Sequence, residues 1–380
     1  MIRILFVSGI PGTGGTEAVM DNICREIDPK MFIIDFLFIG DISEDNSEFT
    51  KKIKKAGNKV FYAPRLKDGI KQHRRAVKNV ISHGNYDIVH SHLDASGVEI
   101  LEMAKVCNIK VRISHSHNTS HLIDTNSFIG KIHKLYLEGQ RRRIHRIATH
   151  YIGCSNAAGK WLFGEKILNT DKYITLKNSI HLDEYTFSFA RRETIRRKLG
   201  IENKIVIGHI GRFDFQKNHP FLLRIFKKFV EIEPESIMLL AGDGEEKKNI
   251  QKQSEELQIK DKIMFLGNID YISDMLQACD LFLLPSFYEG LSIALVEAQA
   301  SGLPCLVSDA VTIESNISGN VEFLGLDHNE GLWAKEIQKM IREKKSRLGV
   351  INIMKEAGFD IKTNITCLEK FYIEALEGKI

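Results

Sequence analysis

The chain lacks the features that mark membrane-spanning, secreted and metal-binding proteins. None of its apolar stretches approaches the ~20 residues needed to span a bilayer. The apolar start, MIRILFVSG, is too short for a signal-peptide core followed by a cleavage site. The six cysteines are scattered, without a Cys-x-x-Cys pair or a metal-ligand spacing, which is typical of buried thiols in a reducing compartment. We therefore expect a cytoplasmic protein.

Composition is that of an ordinary globular protein, with 43% hydrophobic and 27% charged residues. A chain of 380 residues is long for a single hydrophobic core, so two domains are the default expectation. The net charge is uneven, because residues 1–183 carry 27 Lys/Arg against 19 Asp/Glu and the remainder carries 26 against 30. Solvated helix faces would explain the basic clusters at 51–78 and 131–146. A basic first half also leaves open a membrane surface, a nucleic acid or a charged substrate as partner.

Short β-branched runs alternate with amphipathic helical patterns along the chain. The predicted strands form two series, residues 2–8, 32–39, 60–63, 88–91, 111–114 and 151–154, and then 205–210, 237–241, 263–266, 281–284 and 306–308. Near-continuous apolar strands separated by helices predict parallel sheets covered on both faces. Two such series predict two Rossmann-like domains, with a linker around 178–191 where the periodicity lapses.

The segment SFYEGLSIALVEAQASGLPCLVSD, residues 286–309, follows a predicted strand and is the most informative stretch of the chain. It places Glu289 in a glycine-containing turn and Glu297 two turns into the next helix. The free N–H groups and positive dipole end of that helix would suit a diphosphate. The two carboxylates could bind hydroxyl groups on either side of it. The alternative is that neither carboxylate binds a ligand and that both are ordinary acidic residues of a helix start or of the protein surface.

Two further loops follow predicted strands and carry residues suited to phosphate. IGRFDFQKN places Arg212 and Lys217 where two cations can hold a diphosphate. The loop GIPGTGGTE is neither a Walker A nor a dinucleotide motif. The sequence leaves open whether it is an anion-binding loop or a tight turn. AGDGE, residues 241–245, is a third glycine loop of this kind.

Histidines alternate at two predicted strand ends, in DIVHSH and in VRISHSHN. Alternation places the two histidines of each pair on one face of a strand. The pattern invites a zinc site, but no nearby cysteine or carboxylate set completes a tetrahedron. We therefore predict no metal site, and a structural role for His90 and His92 stays open.

Taken together and in order, these five motifs resemble those of the family 4 retaining glycosyltransferases, over nearly the whole chain. The resemblance implies the GT-B fold, an α/β architecture of two Rossmann-like domains whose parallel sheets face a central cleft. It implies an acceptor-binding domain at 1–183 plus 362–380 and a nucleotide-sugar-binding domain at 184–361. The usual proline after Glu-Gly-aromatic/Leu is replaced here by Ser292.

The resemblance also implies roles for individual residues. The catalytic set is His115, Arg212, Lys217 and Glu289. The donor-binding set is Gly14, Gly15, Gly242, Gly244, Gly290, Leu291, Ser292 and Glu297. Two further residues are assigned to the acceptor side. They are Asn118 and His117, and His117 is also the second choice, after His115, for the sugar-contacting histidine. Because the two cations would neutralise the leaving diphosphate, no metal is expected, and the chain has no Asp-x-Asp of the metal-dependent single-Rossmann class.

The activity implied is transfer of a hexose, with retention, from a nucleotide sugar, most simply UDP-linked, in bacterial cell-surface polysaccharide synthesis. The acceptor is a glycan or a polyprenyl-diphosphate-linked oligosaccharide, and the nucleotide sugar is a substrate, so no cofactor is expected. The basic helix at 131–146 leaves open a peripheral location on an anionic membrane surface. Other interpretations are a GT-B epimerase, a sugar phosphorylase, a nucleotide-sugar sensor or a nucleic-acid-binding protein. The acids and glycine loops of the expected cleft argue against a nucleic-acid partner.

Overall fold

The computed structural model describes residues 1–11, 15–45, 47–118, 128–289, 291–343 and 345–380. Its contacts divide the chain into two compact units. The amino-terminal unit comprises the first strand, Thr16–Asn178 and the segment Lys362–Ile380, and the carboxyl-terminal unit comprises Ser179–Ile361. The predicted boundary after residue 183 lies beyond the position at which the contacts change from one unit to the other.

The amino-terminal unit is built on a parallel seven-stranded sheet. Its strands are β1 (Ile2–Gly9), β2 (Phe32–Ile39), β3 (Val60–Ala63), β4 (Ile88–Ser91), β5 (Val111–Ser116), β6 (His150–Gly153) and β7 (Tyr173–Thr175). They lie in the order β3-β2-β1-β4-β5-β6-β7. The strands β2 and β3 lie on one side of β1, and β4 is the first strand on its other side. The sheet therefore has a switch point between β1 and β4.

The helices of this unit connect successive strands. They are α1 (Gly15–Glu26), α2 (Glu48–Lys55), α3 (Ile70–Gly84), α4 (Val98–Val106), α5 (Phe128–Ile147), α6 (Asn156–Phe163) and α7 (Glu165–Leu168), with short 3-10 turns at Ile42–Glu44, Leu66–Asp68 and Asp94–Gly97. Every residue of β4 is buried, as expected for a strand covered on both faces.

The carboxyl-terminal unit repeats this plan with a parallel six-stranded sheet in the order β10-β9-β8-β11-β12-β13. Its strands are β8 (Ile205–Ile210), β9 (Ser236–Ala241), β10 (Ile263–Gly267), β11 (Leu281–Leu284), β12 (Cys305–Ser308) and β13 (Val321–Leu324). Its helices are α8 (Leu182–Tyr185), α9 (Phe189–Leu199), α10 (His219–Ile232), α11 (Lys247–Glu256), α12 (Ile272–Ala278), α13 (Ile293–Ala300), α14 (Glu330–Arg342) and α15 (Val350–Glu356), with 3-10 turns at Lys260–Lys262 and Ile313–Ser315.

The predicted fold class of two parallel-sheet, Rossmann-like α/β domains is confirmed. The eleven predicted strands all form, but the sequence pattern missed β7 and β13. Both are short strands at the edge of a sheet, and several of their residues are partly or fully exposed. An edge strand buries less apolar surface, so its hydrophobic pattern is weaker.

The predicted linker at 178–191 contains regular structure. Helix α9 begins within it, and its sequence, FARRETIRRKL, has almost no apolar stripe. Arginines hold the helix instead, because Arg192 and Arg196 each bind the Asp280 carboxylate at 2.6 Å and also donate to backbone carbonyls around residue 278. A helix fixed by ion pairs and carbonyl contacts lacks the hydrophobic period by which helices are predicted.

The last helix, α16 (Ile361–Glu377), packs with the amino-terminal unit. Its Tyr372 is fully buried, and its Glu369 carboxylate accepts a hydrogen bond from the backbone N–H of Asp28 at 2.8 Å. Within the described ranges, no helix combines the length and apolar character that crossing a bilayer requires.

Candidate active site

Three predicted site residues of the carboxyl-terminal unit lie at the switch point of its sheet, between β8 and β11. At such a point the loops after two neighbouring parallel strands run in opposite directions and leave a crevice for a ligand. The loop after β8 carries Arg212 and Lys217, and the loop after β11 carries Glu289. The structure therefore brings these residues to one edge of the sheet.

Lys217 and Glu289 form a direct ion pair. The Lys217 Nζ lies 2.5 Å from Glu289 Oε1, and the two side chains are only 13% and 7% exposed. The Ser286 hydroxyl donates to the same carboxylate oxygen at 2.9 Å, and the Gln216 amide donates to Oε2 at 3.3 Å. The carboxylate is thus held by three donors, which fixes its orientation.

The two loops are also joined through their backbones. The Asn218 side-chain amide donates to the Pro285 carbonyl at 3.1 Å, and the Phe287 N–H donates to the Gln216 carbonyl at 2.9 Å. Arg212 differs from its neighbours, because its guanidinium is exposed and has no ion pair with the residues that the structure describes. It is therefore a cation at this edge whose charge is available to a ligand.

Gly242 and Gly244 have a packing role that the sequence did not reveal. A Cβ atom at Gly242 would lie 2.0 Å from the Gly211 carbonyl oxygen, and one at Gly244 would lie 2.5 Å from the Phe213 carbonyl oxygen. These are contacts with backbone, which cannot move aside as a flexible side chain can. The glycines let the loop after β9 rest on the loop after β8, and their contact with a donor stays a prediction.

Glu297 lies on α13 and is partly buried. The Tyr185 hydroxyl donates to its Oε1 at 2.7 Å. Burial raises the pKa of the Glu297 carboxyl to about 7, although the Tyr185 hydrogen bond lowers it and the nearby Glu184 charge raises it further. Ser292 occupies the N-cap position of the helix without a side-chain capping bond, and Leu291 directly precedes it. Gly290 lies outside the described residues.

In the amino-terminal unit, four histidines form two stacked layers at the ends of β4 and β5. In one layer, His90 Nε2 lies 3.1 Å from His115 Nδ1, and the Tyr372 hydroxyl lies 2.8 Å from His90 Nδ1. In the other layer, His92 Nδ1 lies 3.0 Å from His117 Nε2. His92 stacks on His90 with ring centroids 4.2 Å apart, and His117 stacks on His115 at 4.1 Å.

Burial separates the two histidines between which the sequence could not decide. His115 lies within β5 and has no solvent exposure, whereas His117 follows the strand and is partly exposed. The Asp94 carboxylate holds the backbone just after β5, because it accepts hydrogen bonds from the His117 backbone N–H at 2.7 Å and from the Asn118 side-chain amide at 2.8 Å. Burial raises the pKa of Asp94 to about 6. Of these two histidines, His117 is therefore the one with solvent-accessible surface.

The histidine cluster has enough ring nitrogens to bind a metal ion, but their lone pairs do not point to one position. One ring nitrogen from each of His90, His92 and His115 lies within 4.8 Å of the others. Zinc would need these nitrogens at about 2.0–2.1 Å from one point, with their lone pairs converging on it. The rings of His90 and His92 are only 21° from parallel, so their lone pairs lie in neighbouring planes that hardly meet. The ring geometry favours hydrogen bonding, and the predicted absence of a metal stays a prediction.

The remaining predicted residues are in the first glycine loop. Gly15 is the first residue of α1, and Gly14 lies outside the described residues. Sequence reasoning missed several residues that the structure places against site residues, namely Tyr185, Asp94, Gln216 and Ser286. No local motif marks Tyr185, whereas Asp94 follows the first His-x-His pair by two positions and could have been suspected from that spacing.

Comparison with known proteins identifies the family. The model of the family "Glycosyl transferases group 1" matches residues 191–356. EpsF of Bacillus subtilis (strain 168), which carries the name of a glycosyltransferase, is 30% identical over 378 residues, covering 97% of this chain and 96% of EpsF. The chain belongs to the group 1 glycosyltransferases. The resemblance of this glycosyltransferase to family 4 proteins with the GT-B fold is thereby confirmed.

Two further similarities bear on this glycosyltransferase. The Escherichia coli UDP-Gal:alpha-D-GlcNAc-diphosphoundecaprenol alpha-1,3-galactosyltransferase is 26% identical over 310 residues, covering 77% of each chain. The crystal structure of Anabaena HepE in complex with UDP and glucose superposes with a TM-score of 0.78 at 18% identity, covering 97% of this chain and 99% of HepE. The second similarity shows the fold alone.

Proposed function

We propose that this glycosyltransferase transfers a hexose, with retention of anomeric configuration, from a UDP-sugar to a polyprenyl-diphosphate-linked glycan in bacterial cell-surface polysaccharide synthesis. The observation that carries the proposal is the edge between β8 and β11, where Lys217 forms an ion pair with Glu289 of the other loop and shares its own loop with the exposed Arg212. The complex of HepE with UDP supports the nucleotide. The substrate in the name of the Escherichia coli relative supports the acceptor class.

The charges at this edge suit a leaving diphosphate. When the bond from the anomeric carbon to the diphosphate breaks, its electron pair and negative charge pass to the diphosphate oxygen. Arg212 and Lys217 stabilise that charge. Since Glu289 already balances Lys217, Arg212 supplies the larger net positive charge. The acceptor oxygen attacks the anomeric carbon from the face that the diphosphate leaves, and a diphosphate oxygen takes the proton.

The two carboxylates have different surroundings and, we propose, different ligands. Glu289 is held by Lys217, Ser286 and Gln216, which suits it to orient sugar hydroxyl groups. Glu297 is held by a single hydroxyl donor, that of Tyr185, among the hydrogen bonds described for its carboxylate. It keeps acceptor capacity for the ribose hydroxyl groups of UDP.

On the amino-terminal unit we assign the substrate contact to His117 in place of His115. The complete burial of His115 and the partial exposure of His117 support this order. The Asn118 side chain and the His117 backbone N–H both donate to the Asp94 carboxylate. Asn118 is therefore the neighbour of His117 that could bind an acceptor hydroxyl group.

The first half of α5 offers a face for the membrane in which a polyprenyl acceptor resides. Ile132, Leu135 and Tyr136 are 53%, 73% and 43% exposed, and Lys131 and Lys134 lie exposed among them. Basic residues near an anionic surface contribute ~1 kcal/mol each.

In the second half of α5, two arginines bind within the protein, whereas Arg142 and Arg146 are exposed. Arg143 binds Glu99 and Glu102, while Arg141 binds Glu138 and stacks on Trp161. Within the basic helix predicted at 131–146, we assign the membrane contact to the first half, because that half combines exposed lysines with exposed apolar side chains. Co-sedimentation with anionic vesicles should weaken in the variant Lys131→Gln/Lys134→Gln/Leu135→Ser and persist in Arg142→Gln. Equal binding by all three proteins would contradict the reassignment.

Donor and acceptor assays test the proposed activity. Thermal shifts against a panel of nucleotide sugars should single out UDP-sugars, and UDP release should rise when a polyprenyl-diphosphate-linked sugar is added. The anomeric proton coupling of the product, measured by NMR, should match that of the donor. A product of inverted configuration would contradict the retaining mechanism, and UDP-sugar binding without turnover on any acceptor would indicate a sensor.

A further inference from the structure

His117 is held from three directions before any ligand binds. In the plane of its ring, Nε2 lies 3.0 Å from His92 Nδ1. Against its face, the His115 ring lies 4.1 Å away between centroids. Its backbone N–H donates to the Asp94 carboxylate at 2.7 Å. Because Nε2 is occupied, Nδ1 is the ring nitrogen of His117 that remains for a ligand.

The protonation of the His92–His117 pair has two possible arrangements. Burial lowers the pKa of His117 to about 4 and that of His92 well below its usual value, so both rings are neutral at pH 7. Each neutral ring has one N–H and one lone pair. Either His92 donates from Nδ1 to His117, or His117 donates from Nε2 to His92.

The other nitrogen of His92 distinguishes these arrangements. His92 Nε2 is buried and has no hydrogen-bond partner in the described part of the chain. If His117 were the donor, this Nε2 would carry a proton and would be a buried N–H without an acceptor, which is rare in proteins. If His92 is the donor, only a lone pair is left unpaired, which is less costly.

Resting on the proposed function, we propose that His92 is a positioning residue, whose Nδ1–H donates to His117 Nε2 and holds His117 in the tautomer that presents its own Nδ1–H to a sugar hydroxyl oxygen of the substrate. His117 then acts as a hydrogen-bond donor. The His90–His115 layer fixes the plane in which the pair lies, because each of its rings stacks on one ring of the pair.

The tautomer can be measured directly on the full-length protein. Long-range proton–nitrogen NMR correlations of ¹⁵N-histidine-labelled protein distinguish a protonated Nδ1 from a protonated Nε2, and a His117→Gln sample identifies the signals of His117. We expect Nδ1 to be protonated in the wild type. A His117 ring protonated at Nε2 would overturn the proposal.

Two variants of His92 separate positioning from packing. In His92→Asn the side-chain amide can donate from a place close to that of Nδ1, whereas His92→Phe keeps a ring to stack on His90 but has no donor. We expect kcat of His92→Phe to fall on the order of 10- to 100-fold, the scale of a misplaced contact, with little change in donor KM and with His117 in mixed tautomers. His92→Asn should keep the wild-type tautomer and most of kcat.

A buried histidine outside the cluster provides the matched control. His73 is 3% exposed, and its Nδ1 lies 2.7 Å from the Pro64 carbonyl oxygen. His73→Phe should alter stability without changing kcat or the His117 signals. Equal losses of kcat in His92→Asn and His92→Phe would indicate a packing role and overturn the proposal, as would one metal ion retained per chain by the cluster. Failure of the proposed function is distinguishable, since a wild type without UDP release would still show the tautomer by NMR.

Discussion

Each unit has a parallel sheet with a switch point, yet the two units differ in the charge that they carry at strand ends at or next to that point. At the edge between β8 and β11, the carboxyl-terminal unit holds an ion pair of Lys217 and Glu289 beside the exposed Arg212. At the ends of β4 and β5, the amino-terminal unit holds four histidines whose pKa values are all lowered by burial. The first edge carries an ion pair and an exposed cation, whereas the histidines of the second edge are neutral at pH 7.

The difference follows from the ligand that each edge is proposed to bind. A diphosphate gains charge as it leaves, and preorganised cations stabilise it without the reorganisation that water requires. A hydroxyl group has no charge, so a neutral donor of fixed direction is sufficient, and a cation would only add desolvation cost. The same topology therefore supports both edges, and the side chains after the strands decide the chemistry.

Removing a cation from the edge between β8 and β11 should have the largest effect. Arg212→Ala and Lys217→Ala should each lower kcat/KM by a factor on the order of 10²–10³, the scale of losing one donor to a developing charge. Steady-state kinetics measure this, with Arg197→Ala, an exposed cation on α9, as control. A loss below tenfold in both site variants would place the diphosphate elsewhere.

Acid should destabilise the histidine cluster of the amino-terminal unit. Because the folded-state pKa of each clustered histidine lies below its unfolded value, the unfolded chain binds more protons as pH falls below about 6.5. Stability is therefore lost on acidification towards pH 4, by up to about 1.4 kcal/mol per pH unit for each fully buried histidine such as His90 and His115. Urea midpoints between pH 7 and pH 5 measure the slope. A slope unchanged in His90→Phe, compared with the exposed-site control His133→Phe, would contradict this account.

Substitutions of the two carboxylates of the carboxyl-terminal unit should have different effects on UDP binding. Glu297→Gln should weaken UDP binding by ~1–3 kcal/mol, since it loses a charge-assisted hydrogen bond while the amide oxygen can still accept from Tyr185. Glu289→Gln should spare UDP affinity and depress turnover. Isothermal titration with UDP measures both, and equal losses of affinity would refute the separate roles.

UDP affinity should also depend on pH through Glu297. With a pKa raised to about 7, the carboxyl becomes protonated as pH falls through neutrality and no longer accepts two hydroxyl donors. The dissociation constant of the wild type should rise by up to about tenfold per pH unit below pH 7, whereas that of Glu297→Gln should follow only the titration of UDP itself. Parallel pH profiles for the two proteins would show that Glu297 does not titrate in binding.

Chelation should have the smallest effect. If the cations of the edge between β8 and β11 stabilise the leaving diphosphate, initial rates should survive EDTA apart from any change in product release. Assays with and without EDTA, followed by readdition of Mg²⁺ or Mn²⁺, test this. Complete loss that either ion restores would mean that a metal shares the task of Arg212 and Lys217.

Local sequence patterns located most of the elements on which the site depends. Apolar runs and helical periods marked β8, β11 and α13, so the loops that carry Lys217, Glu289 and Glu297 could be placed at strand ends and helix starts. The same reasoning failed for α9, whose arginines bind Asp280 and backbone carbonyls. Periodicity records the burial of apolar surface, and α9 is fixed by polar contacts instead.

The sequence by itself determined the two parallel sheets, the order of the motifs and the chemical types at each edge. Only the tertiary structure decided which of those side chains meet. Lys217 and Glu289 are separated by 72 residues, Tyr185 and Glu297 by 112, and His90 and Tyr372 by 282. Such pairs depend on strand order and on the return of the last helix, which no local pattern encodes. The proposed assignment of the substrate contact to His117 likewise rests on burial, because His115 lies within β5 and His117 follows its end.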